Sequence, residues 1–84
     1  MADMQSNMEI RRQIAQAQQD MDRATERASE ACRGIGREIV FLNAPTEVNL
    51  DVIEGGKADL RDAQSAYKAA LKRKQELKAL LGED

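Results

Sequence analysis

Two series of residues along this chain mirror each other, since the residue numbers of each matched pair add to 91. Within each series the positions step by three and four residues, the spacing that keeps one face of an α-helix turned towards a partner helix. One series ascends while the other descends, so we expect an antiparallel coiled-coil helical hairpin. We call the paired positions the seam. They are Ala31 with Leu60, Ala28 with Ala63, Ala24 with Tyr67, Met21 with Ala70, Ala17 with Lys74, Ile14 with Leu77 and Ile10 with Leu81.

Side-chain sizes across the seam are complementary, as close packing of two helices requires. Ala24 would face Tyr67, and Met21 would face Ala70. The larger side chains expected to hold the hairpin together are Ile10, Ile14, Met21, Leu60, Tyr67, Leu77 and Leu81. Such a fold is mainly α-helical and takes up the whole chain, residues 1–84, as a single domain.

Lys74 is the one charged residue in the seam, and it allows two interpretations. Its aliphatic stem could lie over Ala17 while the ammonium group reaches solvent near Asp20. Alternatively, the charge could specify the register of the two helices, as polar residues do in coiled coils. Only the second interpretation gives Lys74 a role in choosing the oligomeric state.

Local signals place the first helix at residues 7–33. Ser6 followed by Glu9 matches a capping box, in which the hydroxyl accepts a hydrogen bond from a backbone N–H of the first turn and the carboxylate reaches back. Gly34 marks the predicted end of this helix. The seam is predicted to fail at the same place, because its next position would be Glu38.

The second helix is predicted at residues 57–81. It would start directly after Gly55 and Gly56 and stop at Gly82, because glycine readily adopts the left-handed conformation that ends a helix. Acidic residues lie early in this helix and basic residues late, which suits the helix dipole.

The tip between the helices, residues 34–56, has a different character. Residues 37–42 and 46–54 are rich in β-branched residues, and apolar positions in the second run alternate with polar ones. Residues 43–46 supply a turn with a proline. The candidate apolar surface of the tip, which would serve either partner binding or self-association, consists of Ile39, Phe41, Val48, Leu50 and Val52. This pattern predicts a short β-hairpin at the tip and the order helix, strand, strand, helix.

The alternative is a plain two-helix hairpin whose longer helices meet at residues 43–46, with Thr46 as an N-cap. It places several glycines inside helices, each at a cost of about 1 kcal/mol relative to alanine. It also places a run rich in valine, isoleucine and threonine in a helix, so the β-hairpin is the preferred prediction.

The seam is too small to stabilise a monomer. A single core in a chain of 84 residues supplies about 3–5 kcal/mol, and four of the seam residues on the first helix are alanines. Apolar side chains also remain off the seam, and these are Met4, Met8, Leu71 and Leu80. We therefore expect a homodimer in which two hairpins form a four-helix arrangement.

The residues needed for chemistry are scarce. Histidine is absent and Cys32 is the single cysteine, so the common general base and the usual zinc ligands are missing. Gly55-Gly56-Lys57 is only a fragment of a phosphate-binding loop. We expect no enzymatic activity, no catalytic residues, no cofactor and no metal site. Cys32 lies beside the seam and is predicted to be a buried thiol.

The chain has no segment that predicts a membrane span. The longest strongly apolar run is residues 39–42, whereas a span needs about 20 residues. Residues 1–7 lack the basic and apolar pattern of a signal peptide. We expect a cytoplasmic protein with no membrane partner.

A net charge of −2 argues against binding nucleic acid through charge alone, since neutralising phosphates requires an excess of basic residues. A basic surface is nevertheless conceivable on the helices. Its residues would be Arg23, Arg27, Lys68, Lys72 and Arg73. The alternative function is therefore a regulator associated with nucleic acid.

The order helix, β-hairpin, helix resembles in topology a shortened arm of the prefoldin-type chaperones, which implies a holdase as a further alternative. Paired hairpins are also similar in shape to the small four-helix RNA-binding regulators of plasmid copy number. Neither likeness includes a residue motif, and fold alone does not give function. The leading hypothesis is a non-enzymatic adaptor or inhibitor that binds itself and another protein, with Phe41 as the anchor of an apolar tip.

Overall fold

The computed structural model describes residues 4–40 and 48–82, and two α-helices account for nearly all of them. Helix α1 is Met4–Val40, with 37 residues, and helix α2 is Leu50–Leu81, with 32 residues. They pack against each other along a rod of 65 × 17 × 14 Å. The predicted helical hairpin is confirmed.

Burial in the hairpin follows the seam. The buried residues of the described part of the chain all belong to the seam pairs, and they are Ala17, Met21, Ala24, Ala31, Ala63, Ala70 and Leu77. Most of the other seam residues are half-buried, while Tyr67 leaves 37% of its surface exposed. The core is therefore a single narrow line of mostly alanine side chains between two helices.

The predicted β-hairpin at the tip is wrong for the described residues. Residues 37–40 belong to α1 and residues 50–54 belong to α2, so most of the described part of both predicted strands is helical, and Val48 and Asn49 precede α2 without forming a strand. Residues 41–47 lie outside the described residues, and with them the predicted turn and Thr46. The plain two-helix hairpin fits the described part of the chain. The likeness to a prefoldin-type arm, which depended on the strands, does not extend to it.

Both helices extend into the tip, α1 as far as Val40 and α2 from Leu50, because the seam continues there. Ile35 and Gly56 form the next pair whose numbers add to 91, and Glu38 with Ile53 forms the pair after that. All four residues are half-buried. The prediction that the seam fails at Glu38 is thus wrong, since it passed over Ile35. Packing between the helices outweighs the local preference of β-branched residues for strands.

Gly56 lies where the two helices approach closely. A Cβ atom at this position would lie 2.6 Å from Cγ1 of Ile35 and 3.1 Å from its Cδ1. A Cβ at Gly34, Gly36 or Gly55 would meet no atom within 4 Å. Gly56 therefore gives Ile35 the space it needs in the seam, although the sequence pattern had indicated a helix boundary here.

The helix ends also differ from their predictions. Helix α1 begins at Met4, upstream of Ser6, so Ser6 cannot be its N-cap. The Glu9 carboxylate points along the helix, where Arg12 lies 3.3 Å away and Gln13 donates a hydrogen bond of 3.4 Å. The predicted capping box is therefore wrong, and the predicted end at residue 33 falls seven residues short of Val40.

Asn49 and Gly82 define the ends of α2. The Oδ1 atom of Asn49 accepts hydrogen bonds from the backbone N–H groups of Asp51, at 3.0 Å, and Val52, at 3.4 Å. The backbone N–H of Asn49 donates to Oε1 of Glu38 at 3.0 Å, which ties the start of α2 to α1. Gly82 has a φ of 75° and closes the helix. The predicted stop at Gly82 is confirmed, whereas the helix begins seven residues before the predicted residue 57.

Candidate interaction surfaces

One side of the hairpin carries a groove surrounded by basic side chains. Its floor is made of alanines, and its walls carry three arginines and one aspartate. The lining residues are Asp20, Arg23, Ala24, Arg27, Ala66, Ala69, Ala70 and Arg73, around a volume of about 410 Å³. We call this the arginine groove.

A second groove continues from the arginine groove towards the tip, and Arg27 lines both. The other lining residues are Glu30, Ala31, Gly34, Val52, Gly55, Gly56 and Asp59, around about 520 Å³. We call this the glycine groove. Its charges are mixed, because Glu30 and Asp59 stand with Arg27. The charge along this side of the rod therefore changes from mainly basic in the arginine groove to mixed in the glycine groove.

The opposite side of the hairpin is less charged near its middle. Thr25 and Gln64 line a groove there with Tyr67 and Lys68. Thr25 precedes Arg27 by two residues and so lies about 200° away from it around the helix axis. This groove encloses about 280 Å³ between the two helices. Tyr67, the larger of its side chains, is half-open to solvent and offers apolar surface.

Lys74 reaches across the seam on this same opposite side. Its Nζ donates a hydrogen bond to Oε1 of Gln18, and both residues are half-buried. The sequence had suggested an ammonium group near Asp20. Instead, the Oδ1 of Asp20 accepts a hydrogen bond of 3.1 Å from Gln16. Lys74 is thus held by a neutral partner on the other helix.

The structure divides the predicted basic surface. Arg23, Arg27 and Arg73 come together around the arginine groove, whereas Lys68 lines the groove on the opposite side. Lys72 lies midway between the seam residues Ala70 and Lys74, so it points away from the partner helix. All five side chains are exposed. Three of the five residues therefore share one surface.

The tip residues do not form one patch either. Val48 is half-buried, Leu50 exposes 69% of its surface and Val52 exposes 43%. Leu50 and Val52 are two residues apart in a helix, so they lie on different sides of α2. The side chain of Ile39 and the whole of Phe41 lie outside the described residues, so Phe41 as an anchor stays a prediction.

Two further apolar side chains are exposed at the open end of the rod, where α1 begins and α2 ends. Met8 exposes 62% of its surface and Leu80 exposes 71%. Leu71 is half-buried beside the seam. These residues lie off the seam in the sequence pattern, and such positions are expected to be exposed. The pattern does not show which of them lie on the same side of the hairpin.

Cys32 is exposed, contrary to the prediction of a buried thiol. It follows the buried Ala31 directly, and one residue turns a helix by about 100°, which carries the side chain out of the seam.

Within the described residues, no group of three or more histidine, cysteine, aspartate or glutamate side chains could hold a metal ion. Three of the acidic side chains accept hydrogen bonds from glutamines one turn away, Glu9 from Gln13, Asp20 from Gln16 and Asp22 from Gln18.

Neither helix has, in its described residues, the length and apolar character needed to cross a membrane.

Comparison of the chain with protein-family models, with curated proteins and with solved structures gives no match.

Proposed function

We propose that this chain is a non-enzymatic protein-interaction module, a small adaptor or inhibitor that pairs with a second copy of itself and binds another protein. The observation that carries the proposal is the surplus of exposed surface over buried core. Both parts of the function use the outside of the hairpin, because the seam between the helices is already filled.

The core is small for the surface that surrounds it. Five of the seven buried residues are alanines, and none of the larger buried side chains is fully enclosed. The chain exposes 6611 Å². A compact protein of 9.3 kDa would expose about 5,000 Å², so the surplus is roughly 1,600 Å².

That surplus is large enough for more than one partner. A standard protein interface buries about 800 Å² on each side, so the surplus corresponds to roughly two interfaces. One can serve self-association and the other a different protein. A rod with a thin alanine core gains stability from both, because association adds to folding by mass action.

Leu50 is the best described candidate for the contact with another protein. It is a large apolar side chain left mostly exposed at the first residue of α2. Leu50 precedes Gln64 by two heptads, so it lies on the Tyr67 side of the rod and away from the arginine groove. Exposed apolar side chains near a well-packed frame are typical anchors of protein interfaces.

The test is affinity capture from a lysate of the source organism, split into nuclease-treated and untreated halves, with bound proteins identified by mass spectrometry. Leu50→Asp removes the apolar side chain at the first turn, where an acidic residue suits the helix dipole and the hairpin remains folded. Ala58→Asp is the matched control, because it adds the same charge to an exposed position facing away from the seam.

We expect a discrete protein that binds the native chain and the Ala58→Asp variant, and binds the Leu50→Asp variant at least tenfold less by the usual scale of an interface anchor. Equal recovery with all three chains would reject Leu50 as the anchor. Recovery that disappears with nuclease treatment would reject the protein-binding function itself.

A second candidate function is supported by the arginine groove. Arg23, Arg27 and Arg73 surround one depression, and arginines grouped in this way can contact the phosphates of a nucleic acid. Asp20 in the same groove and the net charge of −2 oppose this function. We therefore place a nucleic-acid-associated regulator second.

Fluorescence anisotropy with labelled RNA and DNA oligonucleotides separates the two functions. If the arginine groove binds phosphates, affinity falls steeply between 50 and 200 mM salt, by about tenfold or more for a few phosphate contacts. Arg23→Gln with Arg73→Gln would then abolish most of the binding, while Lys72→Gln, which faces away, would change it little. Absence of binding at low salt would reject this candidate.

A further inference from the structure

Five residues of α2 recur at intervals of seven and form a continuous line along the helix. They are Val52, Asp59, Ala66, Arg73 and Leu80. We call this line the α2 stripe. Seven residues make nearly two helical turns, so residues at this spacing drift by only about 20° per heptad and stay on one side where the helices coil around each other. The stripe spans roughly 42 Å at 1.5 Å per residue.

The α2 stripe lies on the side of the hairpin that carries the arginine and glycine grooves. Val52 and Asp59 line the glycine groove, Ala66 and Arg73 line the arginine groove, and Arg27 lines both. All five stripe residues are exposed. Within the described part of the chain, neither Asp59 nor Arg73 makes an ion pair, so both charges are open to a partner.

The order of residues in the stripe is complementary to its own reversal. When a second copy is turned end over end about Ala66, Ala66 meets Ala66. Asp59 then faces Arg73, and Val52 faces Leu80. An acid meets a base at two places, two apolar pairs lie at the outer ends, and the small side chain lies at the centre.

We propose that a second copy of this chain packs its α2 antiparallel on the α2 stripe, with the two-fold axis at Ala66. The inference rests on the self-association proposed above and names the surface that performs it. Two arguments choose the second copy as the occupant: the charges of the stripe match its own reversal, and the surplus of exposed surface is what a stable dimer requires.

Helix α1 does not contain a matching pattern, which centres the interface on α2. The same reversal would bring Arg23 of one copy level with Arg27 of the other, and Asp20 level with Glu30. Like charges directly opposite one another disfavour contact. The two α1 helices therefore lie at the outside of the dimer, and α2 contacts α2. Ala66 allows the close approach of the two helices at the centre.

Charge reversal tests this arrangement directly, with dimer dissociation constants measured by analytical ultracentrifugation. In Asp59→Arg or Arg73→Asp, like charges face each other at two symmetric places, and we expect each to weaken the dimer about tenfold or more. The double variant Asp59→Arg with Arg73→Asp restores opposite charges. We expect its dissociation constant to return to within about threefold of the native value. Lys72→Asp is the matched control beside Arg73, and we expect it to leave affinity unchanged.

Cysteine pairing tests the geometry independently in a Cys32→Ser background, with copper phenanthroline as the oxidant. Ala66→Cys should form a disulfide-linked dimer, because the two copies of this residue face each other at the axis. Ala58→Cys, which faces away, should not. A mixture of Asp59→Cys and Arg73→Cys chains should cross-link to each other, while neither chain should cross-link to itself.

The outcomes separate the surface from the function that it serves. A chain that remains monomeric at all accessible concentrations overturns both the stripe and self-association, while capture through Leu50 can still succeed. If the native chain dimerises and none of the three charge variants changes the dissociation constant, the α2 stripe is not the interface. Self-association then uses another surface. Circular dichroism of each variant confirms that the hairpin is folded before either conclusion is drawn.

Discussion

The arm and the tip of this hairpin use the same seam in different ways. Along the arm, the seam is lined mainly by alanines and larger apolar side chains, and seven of its described residues are buried. Towards the tip, the seam passes through Gly56 and Glu38, which are half-buried, and Glu38 accepts a hydrogen bond from the start of α2. The arm is held by apolar packing, whereas the described part of the tip is held by the tight contact between Ile35 and Gly56 and by the hydrogen bonds at Asn49.

The difference shows that a glycine in a helical pattern has two possible meanings. Gly55 and Gly56 are neighbours in the same helix, yet a side chain at Gly55 would meet open space while one at Gly56 would collide with Ile35. The two glycines differ because Gly56 faces the partner helix and Gly55 does not. A glycine therefore indicates a boundary only when no residue across the seam needs its space.

Truncating the same residue type in each region should give the largest contrast. Leu77→Ala removes a buried side chain of the arm, and we expect the free energy of unfolding to fall by about 2–3 kcal/mol. Leu50→Ala removes a mostly exposed side chain of the tip, and we expect a change within about 0.5 kcal/mol. Urea denaturation followed by circular dichroism measures both, at one protein concentration because association adds to stability. Equal losses would show that the two regions are packed alike.

The two adjacent glycines of the tip offer the next contrast. Gly55→Ala should raise the free energy of unfolding by about 0.5–1 kcal/mol, since alanine is the better helix former and has room. Gly56→Ala should be less stable than Gly55→Ala by roughly 1 kcal/mol or more, because Ile35 must move aside.

An Ile35→Ala background is the control for the glycine pair, measured by the same urea denaturation. There the obstacle is gone, and Gly56→Ala should gain about as much as Gly55→Ala in a double-mutant cycle. If Gly56→Ala were as favourable as Gly55→Ala in the native background, the close contact with Ile35 would not constrain the seam.

The polar cap at the tip should contribute about 1 kcal/mol. Asn49→Ala removes the acceptor for two backbone N–H groups of α2, and we expect that loss of stability in thermal denaturation. Asn49→Asp retains the acceptor and should change stability by only a few tenths of a kcal/mol. A loss of the same size in both variants would show that the side-chain amide, and not the cap, is what matters.

The smallest effect is expected where a polar contact interrupts the arm. Lys74→Leu places an apolar side chain over Ala17 and should raise the free energy of unfolding by less than about 1 kcal/mol. The gain from the added apolar contact is partly offset, because Oε1 of Gln18 loses the hydrogen bond that Lys74 donates. Lys74→Leu with Gln18→Leu removes both polar groups and should gain more. Equilibrium ultracentrifugation then shows whether Lys74 also sets the oligomeric state, and a change there would make it a register residue.

The arm could be predicted from the sequence. The spacing of the seam residues predicts two helices, and the constant sum of their numbers predicts that the helices run antiparallel and which residues face each other. The tip could not be, since local preferences and packing disagree there. The β-branched residues near Val48 and Val52 favour strands, and the glycines favour a boundary, but a contact between Ile35 and Gly56 decides in favour of helix. Following the seam one step further to Ile35 would have found it.

The candidate surfaces were predictable only in part for a similar reason. Exposure of Leu80 follows from its place off the seam, whereas the exposure of Leu50 becomes clear only in the structure. Which exposed residues share one side depends on the rotation of each helix about the seam, and this separates Lys68 from Arg73 and Leu50 from Val52. The spacing of seven along the α2 stripe was present in the sequence, but its meaning depends on knowing that α2 extends back to Leu50.

The length of the rod determines how the proposed dimer would act as a connector. Leu50 lies 16 residues from Ala66, so in an antiparallel dimer the two copies of Leu50 are roughly 48 Å apart along the helix direction. Two bound target proteins would thus be held at opposite ends of one stiff bar. Such a bar can bridge two sites on a larger assembly, and the second attachment is then strengthened by effective concentration only when the sites match its span.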